Sequence, residues 1–253
     1  MIGSILTAVG ITAVAAGYQS MAPTGQWYGR TFTGKNGPAN SLALTYDDGP
    51  NDPHTLRLLE VLAKEDVKAT FFLVGRYVKQ RPDIVREIAQ AGHAIGNHSF
   101  SHPNLIFCSA RQTRLELQQC QDAIADAIGE APKLFRPPFG GRRPSTLRIA
   151  RSLGLTPIMW NAMGWDWNAP PATAIARKLN KQLVSIAPMA EDYYGEKIRE
   201  RKMHSAVILL HDGGHIEIGA DRSQTVMATE GCIPYWKAAG YELKAMPEML
   251  TGV

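Results

Sequence analysis

The sequence predicts an α/β protein with a single domain, folded as a distorted (β/α) barrel of mostly parallel strands. Short apolar segments alternate with helical segments from residue 41 onwards, which is typical of repeated βα units around a parallel sheet. Polar clusters follow several apolar segments, and parallel sheets bind ligands at the carboxyl ends of their strands. The length of 253 residues fits one α/β barrel of about 250 residues. An open parallel sheet is the alternative architecture.

The predicted strands are short apolar runs bounded by turn residues or by helical segments. In chain order they are Ser41–Tyr46, Ala69–Val74, Ala94–Gly96, Leu134–Phe135, Leu155–Trp160, Ala206–Leu210 and Tyr241–Leu243.

The predicted helices show apolar spacings of three and four or begin and end at typical terminal residues. The first has Asp52 at its N-cap and Pro53 at its first position, and Gly92 ends the second. Ser109 caps the third. The helical segments and stripes are Leu58 to Leu62, Pro82–Ala91, Leu117 to Ile128, Ser145–Leu153, the stripe Ile175, Leu179, Leu183 and Ile186, and Ser223–Ala239.

Composition and charge narrow the class of protein. Hydrophobic residues make up 45% and charged residues 20%, which excludes a disordered chain. The net charge of +4 comes without any block of five or more Lys or Arg, so no nucleic-acid partner is expected. Three cysteines, Cys108, Cys120 and Cys232, are too few for a disulfide scaffold or a CxxC metal site, and we expect no Cys108–Cys120 bridge.

The N-terminal segment, residues 1–18, is apolar and uncharged, and no charge follows until Arg30. It resembles the core of a secretory signal with a cleavage site near Ala13–Ala15, or a short membrane anchor, although no Lys or Arg precedes it. A buried N-terminal helix is the alternative. Export or anchoring is favoured, which predicts a periplasmic, cell-envelope or outward-facing membrane-anchored protein. We expect residues 19–40 to form an irregular lead-in and residues 41–253 to form the main domain.

The first polar cluster places two adjacent carboxylates, Asp47 and Asp48, at a strand end. Such a pair is unfavourable unless a cation or an arginine offsets it. Because neighbouring side chains of a strand point apart, one aspartate can bind a metal while the other faces substrate. A surface turn is the alternative, since Asp, Gly and Pro are common turn residues.

The second cluster, Gly96 to His102, contains His98 and His102, four residues apart. On a helical turn this spacing puts both imidazoles on one face, where they can bind one metal ion. Two imidazoles and a carboxylate form the open three-ligand set of a hydrolytic zinc site. Three other histidines have no second histidine at this spacing, and we expect them to be structural or solvent-facing. They are His54, His93 and His204.

Three further clusters follow later strands. Arg136 precedes Pro137, Pro138, Phe139 and two glycines, a rigid turn that can aim the guanidinium inward. Asp166 stands between Trp165 and Trp167, an arrangement suited to sugar stacking. His211 ends an apolar strand and can act as an acid or base near neutral pH. His215, four residues further on, is interpreted as a bystander in a glycine-rich loop.

The absence of two common sequence motifs argues against two classes of enzyme. No GxSxG elbow is present, which argues against that class of serine hydrolase. No GxGxxG or Walker A motif is present, which argues against a nucleotide cofactor.

Together the five clusters resemble the signature motifs of the polysaccharide deacetylases, carbohydrate esterase family four. The matching segments are TYDDGP at Thr45–Pro50, HSFSH at His98–His102, RPPFG at Arg136–Gly140, WDW at Trp165–Trp167 and ILLHD at Ile208–Asp212. The resemblance extends from about Ser41 to Leu243 and implies a distorted (β/α) barrel. It also implies a catalytic domain over residues 41–253 that removes N-acetyl or O-acetyl groups from a polysaccharide and releases acetate.

The resemblance implies a divalent metal cofactor, Zn²⁺ first and Co²⁺ or Ni²⁺ as alternatives. Asp48, His98 and His102 would be the metal ligands. Asp47 would be the catalytic base, and Arg136 would hold it in place.

The same resemblance assigns the remaining roles. The backbone N–H of Phe139 would help to bind the oxyanion. His211 would be the general acid, with its pKa tuned by Asp166. Trp167 and Leu209 would wall the acetyl pocket. Apart from the resemblance, the segment Ala187–Met203 is unusual in sequence, and we expect it to form a loop at the edge of the substrate site.

The expected substrate is an N-acetylglucosamine polymer or oligomer of the peptidoglycan or chitin type. A metal-dependent amidase acting on non-sugar N-acyl groups is the alternative enzyme. An inactive carbohydrate-binding relative is disfavoured because it should lack one of Asp47, Asp48, His98, His102 or His211, and all five are present. Nothing in the sequence indicates an oligomeric state.

Overall fold

A curved parallel sheet organises the chain in its computed structural model, which describes residues 14–35, 37–185, 190–191, 197–198 and 205–251. The strands are β1 Ser41–Gly49, β2 Thr70–Leu73, β3 Ala94–Asn97, β4 Leu134–Phe135, β5 Thr156–Pro157, β6 Ala162–Met163, β9 Ala206–His211 and β10 Glu242–Leu243. The short strands β7 Ala190–Glu191 and β8 Lys197–Ile198 form a separate antiparallel pair.

The strand order in the main sheet is β5-β4-β3-β2-β1-β9-β6, and β10 pairs with the beginning of β1. Every pair in this sheet is parallel. The two outer strands, β5 and β6, are not paired with each other among the described residues. The fold is therefore a distorted, incompletely closed (β/α) barrel, which confirms the predicted class.

Helices connect the strands. Residues 14–21 are helical and are labelled α1. The others are α2 His54–Lys64, α3 Gly75–Gln80, α4 Pro82–Gln90, α5 Ala110–Ile128, α6 Pro144–Ser152, α7 Ala172–Ser185, α8 Ser223–Ala238 and α9 Met246–Leu250. The cap predicted at Ser109 is confirmed, because Ser109 Oγ accepts from the backbone of Gln112 and the Gln112 side chain accepts in return.

Side-chain alternation along the central strands separates two apolar layers. Leu42, Leu44 and Tyr46 of β1 pack in the outer layer, whereas Ala43 packs in the inner layer with Leu209 of β9. Because alternate residues of a strand share a face, Thr45 and Asp47 follow Ala43 inward, and His211 follows Leu209. The polar residues at the ends of β1 and β9 therefore lie inside the barrel mouth.

The lead-in segment covers part of the opening between β5 and β6. Phe32 pairs in parallel with Ile158, immediately after β5, and Met159 donates a backbone hydrogen bond to Phe32 O at 2.7 Å. The buried Arg142 donates to the carbonyl oxygens of Ala22 and Gly25, both at 2.7 Å. Helix α1 continues to residue 21, so the irregular part begins there rather than at residue 19.

Several predicted boundaries were wrong for local reasons. Helix α2 begins at His54 without a side-chain cap, because Asp52 instead accepts a hydrogen bond from Arg81 at 2.8 Å. The strand predicted over Leu155–Trp160 pairs only at Thr156–Pro157 before the chain turns to the lead-in. The short elements α3, β6 and α9 were not predicted, since they contain too few residues for a period to show.

Some predictions fall on residues that the structure does not describe. Ile186 of the predicted helical stripe, residues 1–13 of the N-terminal segment and most of Ala187–Met203 lie outside the described residues. Within the described part of the chain, no helix combines the length and hydropathy that crossing a bilayer requires. Cys108, Cys120 and Cys232 are all free thiols.

Candidate active site

The register of the sheet brings the polar clusters together at one end of the barrel. Asp47 of β1 is the direct partner of His211 on β9. On the other side of β1, His98 follows β3 and Arg136 follows β4, and the last residues of these two strands are register partners. All four side chains therefore meet at the carboxyl end of the sheet.

A bulge at the end of β1 turns both adjacent aspartates into this cavity. Asp48 has a φ of 74°, and the pairing with β2 shifts register between Asp47 and Gly49. The sequence prediction that the two carboxylates point apart was wrong, because the bulge interrupts the alternation of the strand. Asp47 Oδ2 lies 3.6 Å and Asp48 Oδ1 lies 3.4 Å from His98 Nε2.

The two histidines meet through an irregular loop rather than the helical turn expected from their spacing. Ser99 and His102 have φ values of 64° and 61°, which fold the chain back on itself. As a result, the ring nitrogens of the two histidines, His98 Nε2 and His102 Nε2, lie 3.2 Å apart. Glu116 of α5 holds the loop by accepting hydrogen bonds from the backbone N–H groups of Phe100 and Ser101.

Asp48, His98 and His102 form a buried group whose ligand atoms all lie within 4.8 Å of one another. Asp48 Oδ1 lies 3.0 Å from His102 Nε2, yet it accepts no well-formed hydrogen bond. His98 Nδ1 lies 2.8 Å from the carbonyl oxygen of Arg136, so this nitrogen carries the proton and Nε2 keeps its lone pair. A carboxylate oxygen and two imidazole nitrogens pointing at one spot fit a divalent transition-metal ion.

The charge of this group also favours a cation. Burial raises the pKa of Asp48, but the adjacent imidazoles of His102 and His98 outweigh burial and hold it well below its ordinary value. Burial lowers the pKa of His98, but the carboxylates of Asp47 and Asp48 outweigh burial and raise it. Asp48 is therefore ionised beside the two imidazoles, and its negative charge favours a bound cation.

Arg136 is fully buried and positions Asp47. Its Nη1 donates to Asp47 Oδ1 at 2.7 Å and to Thr45 Oγ1 at 2.8 Å. Its guanidinium carbon lies 4.2 Å from the centre of the Phe72 ring. The ion pair leaves the second oxygen of Asp47, Oδ2, directed toward His98.

His211 and Asp166 form a second ion pair on the other side of Asp47. His211 Nδ1 lies 2.8 Å from Asp166 Oδ1, and Asp166 Oδ2 accepts from the backbone N–H of His211 and from Thr225 Oγ1, both at 2.8 Å. Burial lowers the pKa of His211, but the charge and hydrogen bonds of Asp166 outweigh it and raise the pKa to about 9. His211 is therefore a protonated imidazole near neutral pH, with Nε2–H available as a donor.

Phe139, Trp167 and Leu209 were predicted to line the substrate site. The Phe139 backbone has a φ of 57°, and its side chain is 46% exposed with its ring 4.7 Å from that of His102. Trp167 is 38% exposed and its ring lies 5.6 Å from that of His211. Leu209 is buried in the inner layer, two residues before His211 on the same face of β9. These positions surround the cavity.

Two features of the site were not predicted. His215 was interpreted as a bystander, but its ring lies 5.4 Å from the rings of both His102 and Phe139. Its spacing of four residues from His211 was the signal that could have drawn attention to it.

The second feature is the buried Asp212, which accepts from Thr55 Oγ1. It also supports the end of β1 by donating its backbone N–H to Asp47 O at 3.1 Å.

A (β/α) barrel with two imidazoles and a carboxylate converging beside a second carboxylate and a protonated histidine defines a metal-dependent hydrolase. The family model for polysaccharide deacetylases matches residues 34–158. A chitooligosaccharide deacetylase from Sinorhizobium fredii is 32% identical over 227 residues, which cover 87% of this chain and 97% of that protein. The chain belongs to the polysaccharide deacetylase family and is a hydrolase of that type.

Other similar proteins and solved structures are deacetylases or members of the same esterase family. A peptidoglycan-N-acetylglucosamine deacetylase from Bacillus cereus is 32% identical over 88% of this chain and 72% of its own length. The solved structure of the Bc1960 peptidoglycan N-acetylglucosamine deacetylase matches with a TM-score of 0.74 and 29% identity, covering 88% of this chain and 93% of that one. A family-four pseudoenzyme from Bacillus anthracis matches with a TM-score of 0.71 and 29% identity over 86% and 67% of the two chains. The fold alone therefore does not distinguish an active member from an inactive one.

Proposed function

We propose that this chain removes acetyl groups from the nitrogen of N-acetylglucosamine units in an oligosaccharide or polysaccharide, releasing acetate and a free amine. The observation that carries the proposal is the position of Asp47 and His211. They are register partners on adjacent strands, each is held by its own ion pair, and the Asp48–His98–His102 group lies beside Asp47.

The proposed cofactor is Zn²⁺, which Asp48, His98 and His102 would hold. When bound, such an ion polarises a carbonyl group and lowers the pKa of a coordinated water from 15.7 toward about 7. The residue types support this choice, because mixed imidazole and carboxylate ligands suit zinc, and a three-residue set leaves coordination positions open. Co²⁺ and Ni²⁺ are the alternatives to be tested.

The chain's own residues would divide the proton transfers between them. Asp47 accepts the proton of the water that attacks the acetamide carbon, and Arg136 holds this carboxylate in position. The backbone N–H of Phe139 donates to the oxygen on which negative charge develops, a contact of about 3 kcal/mol in comparable sites. His211 donates its Nε2 proton to the nitrogen as the carbon–nitrogen bond breaks, so the amine leaves uncharged and acetate remains.

A screen of acetylated glycans tests the substrate. The purified chain is incubated with N-acetylglucosamine oligomers, peptidoglycan fragments, acetylated xylan and simple N-acyl amides, and each product is analysed by mass spectrometry. The proposal predicts a loss of one acetyl mass from the N-acetylglucosamine substrates, with little change in xylan or the amides. Turnover confined to the simple amides would favour the alternative amidase function.

An inactive relative is the second alternative, since a pseudoenzyme is among the similar structures. The presence of Asp47, Asp48, His98, His102 and His211 in one cavity favours activity. The absence of acetate release from every substrate at full metal occupancy would favour the inactive reading.

We also propose that the chain acts outside the cytoplasm, with residues 1–18 as an export signal or a membrane anchor. The uncharged N-terminal sequence and a polymeric cell-envelope substrate support this proposal. Fractionation of cells that express the full chain should find it in the medium, the periplasm or the membrane pellet. A variant that begins at residue 19 should stay in the cytosolic fraction, and equal fractionation of the two would contradict the proposal.

A further inference from the structure

The loop between β9 and α8, residues 212–222, crosses the mouth of the barrel over the end of β1. Gly213 passes so close to Asp48 that a Cβ there would overlap the carbonyl group of Asp48. Asn51, which follows β1, binds both ends of the loop: its Nδ2 donates to Asp212 O at 2.8 Å and to Ala220 O at 2.9 Å. The loop therefore leaves the β9 side of the site and reaches the β2 side.

Side chains from α3 hold the middle of this loop in place. Arg76 Nη2 donates to the carbonyl oxygens of His215 and Ile216, and Tyr77 Oη donates to Gly214 O at 3.0 Å. At the other end, Arg222 Nε donates to Gly213 O at 2.7 Å. These bonds fix the backbone that carries His215, so its side chain is positioned before any ligand binds.

The result is an aromatic wall above one of the metal-ligand histidines. The rings of His215 and Phe139 lie 5.4 Å apart, and both lie against His102, at 5.4 Å and 4.7 Å. Although the loop backbone is anchored at both ends and in the middle, His215 and Phe139 are exposed to solvent. We call this pair the His215–Phe139 wall.

A second aromatic pair stands on the other side of the cavity. Trp167 packs against His211, and the Trp165 ring lies 5.1 Å from that of Trp167. His211 ends β9 and His102 lies in the loop after β3, on opposite sides of β1, so the two aromatic pairs flank the reacting centre. A substrate whose acetyl group enters between them extends past at least one pair, and aromatic rings pack well against the apolar face of a sugar.

We propose that His215 is a specificity-determining residue, whose ring binds the sugar unit adjacent to the one that loses its acetyl group. This inference rests on the proposed function and adds a preference for oligomers. His215 acts by ring contact with the substrate and not as a metal ligand, since Asp48, His98 and His102 already form the compact ligand group.

The test compares steady-state kinetics on an N-acetylglucosamine tetrasaccharide for the wild type and for His215→Ala, His215→Gln and His215→Phe. The alanine and glutamine variants should raise KM by roughly 5- to 10-fold, with a smaller effect on kcat, because the ring contact is lost. The phenylalanine variant keeps a ring and should have a KM close to that of the wild type. Metal content, measured on the same samples, should be equal in all four proteins.

Ile216→Ala is the matched control, since Ile216 is the next residue of the same loop and 76% exposed. It should leave KM unchanged. An unchanged KM in His215→Ala, an equal rise in Ile216→Ala, or a loss of metal in His215→Ala would each overturn the inference. A wild-type chain that releases no acetate from the tetrasaccharide would instead refute the proposed function itself, so the two failures are distinguishable.

Discussion

Asp47 and Asp48 are adjacent in sequence, share one cavity and have different partners. Asp47 is paired with the buried guanidinium of Arg136, whereas Asp48 is surrounded by His98 and His102. These partners suit the two carboxylates to different tasks, because the arginine holds one in position while the imidazoles form a candidate ligand group with the other. The left-handed backbone of Asp48, with a φ of 74°, gives the two neighbouring carboxylates these different surroundings.

At this scale the first prediction concerns Asp47→Asn. The amide can still accept from Arg136 but cannot take a proton, so acetate release should fall by roughly 10²- to 10⁴-fold. Bound metal, measured by atomic emission, should stay at the wild-type level. Asp48→Asn is the comparison, since it replaces a ligand and should lose metal as well. Wild-type activity in Asp47→Asn would remove the base assignment.

A second prediction concerns the pH dependence that Asp166 imposes. The pKa of His211 lies near 9, above its ordinary value, so His211 keeps its acidic proton until the pH rises through that region. Asp166→Asn removes the charge that stabilises the imidazolium, and the alkaline limb of the kcat/KM profile, which reports the free enzyme, should move to lower pH.

The control for this shift is Thr225→Val. It removes one hydrogen bond to Asp166 Oδ2 but keeps the carboxylate charge, so its alkaline limb should stay near that of the wild type. An alkaline limb at the same pH in Asp166→Asn would show that another group donates the proton.

At the scale of elements, the loop after β3 depends on α5, the helix that follows it in the chain. Glu116 of α5 accepts three hydrogen bonds from this loop: from Phe100 N at 2.9 Å, from Ser101 N at 2.8 Å and from Ser101 Oγ at 2.6 Å. These bonds hold the chain between His98 and His102 in its folded-back conformation. The helix therefore supports the candidate metal site without contributing a candidate ligand.

The third prediction follows from this support. Glu116→Ala should weaken metal affinity by roughly 10- to 100-fold, as the loss of other outer-shell partners does, while the fold is retained. Competition with a chromogenic chelator measures the affinity. Asp126→Ala changes an exposed acid on the same helix and should have no effect. Equal affinities in the two variants would contradict the role given to Glu116.

The main strands and their parallel arrangement could be predicted from the sequence because each strand is an apolar run between helical segments. The polar residues that follow such strands then share one edge of the sheet. This reasoning placed Asp47, His98, Arg136 and His211 in one region. The bulge at Asp48 was not predictable in the same way, since only the pairing with β2 reveals it. The crossing of His215 depends on Arg76 and Tyr77 of a helix too short to show a period.

At the scale of the whole molecule, the barrel is open between β5 and β6, and the lead-in segment packs at the β5 side of that opening. Arg142 connects the two parts: its side chain is buried, it donates to the lead-in at Ala22 and Gly25, and its Nη1 donates to Gly140 O at 3.0 Å. Gly140 belongs to the turn that carries Phe139. The lead-in is therefore part of the structure that supports the rim of the site.

The fourth prediction tests this connection. Arg142→Ala leaves buried carbonyl oxygens without their donor, and the free energy of unfolding should fall by about 2–4 kcal/mol. Urea denaturation measures the change, and limited proteolysis should detect faster cleavage within the lead-in. Arg148→Ala removes an exposed arginine of α6 and should change stability little. Identical urea midpoints for the two variants would contradict the role of Arg142.

The most direct test of the central claim is a titration of the metal-stripped chain with Zn²⁺, in which acetate release from an N-acetylglucosamine oligomer is followed at each step. The stripped chain should release no acetate, and release should then rise linearly to a plateau at about one equivalent of zinc per chain. His98→Ala should show no such tight equivalent. Acetate release from the fully stripped chain, or a zinc-saturated wild type without any release, would contradict metal-dependent deacetylation by this chain.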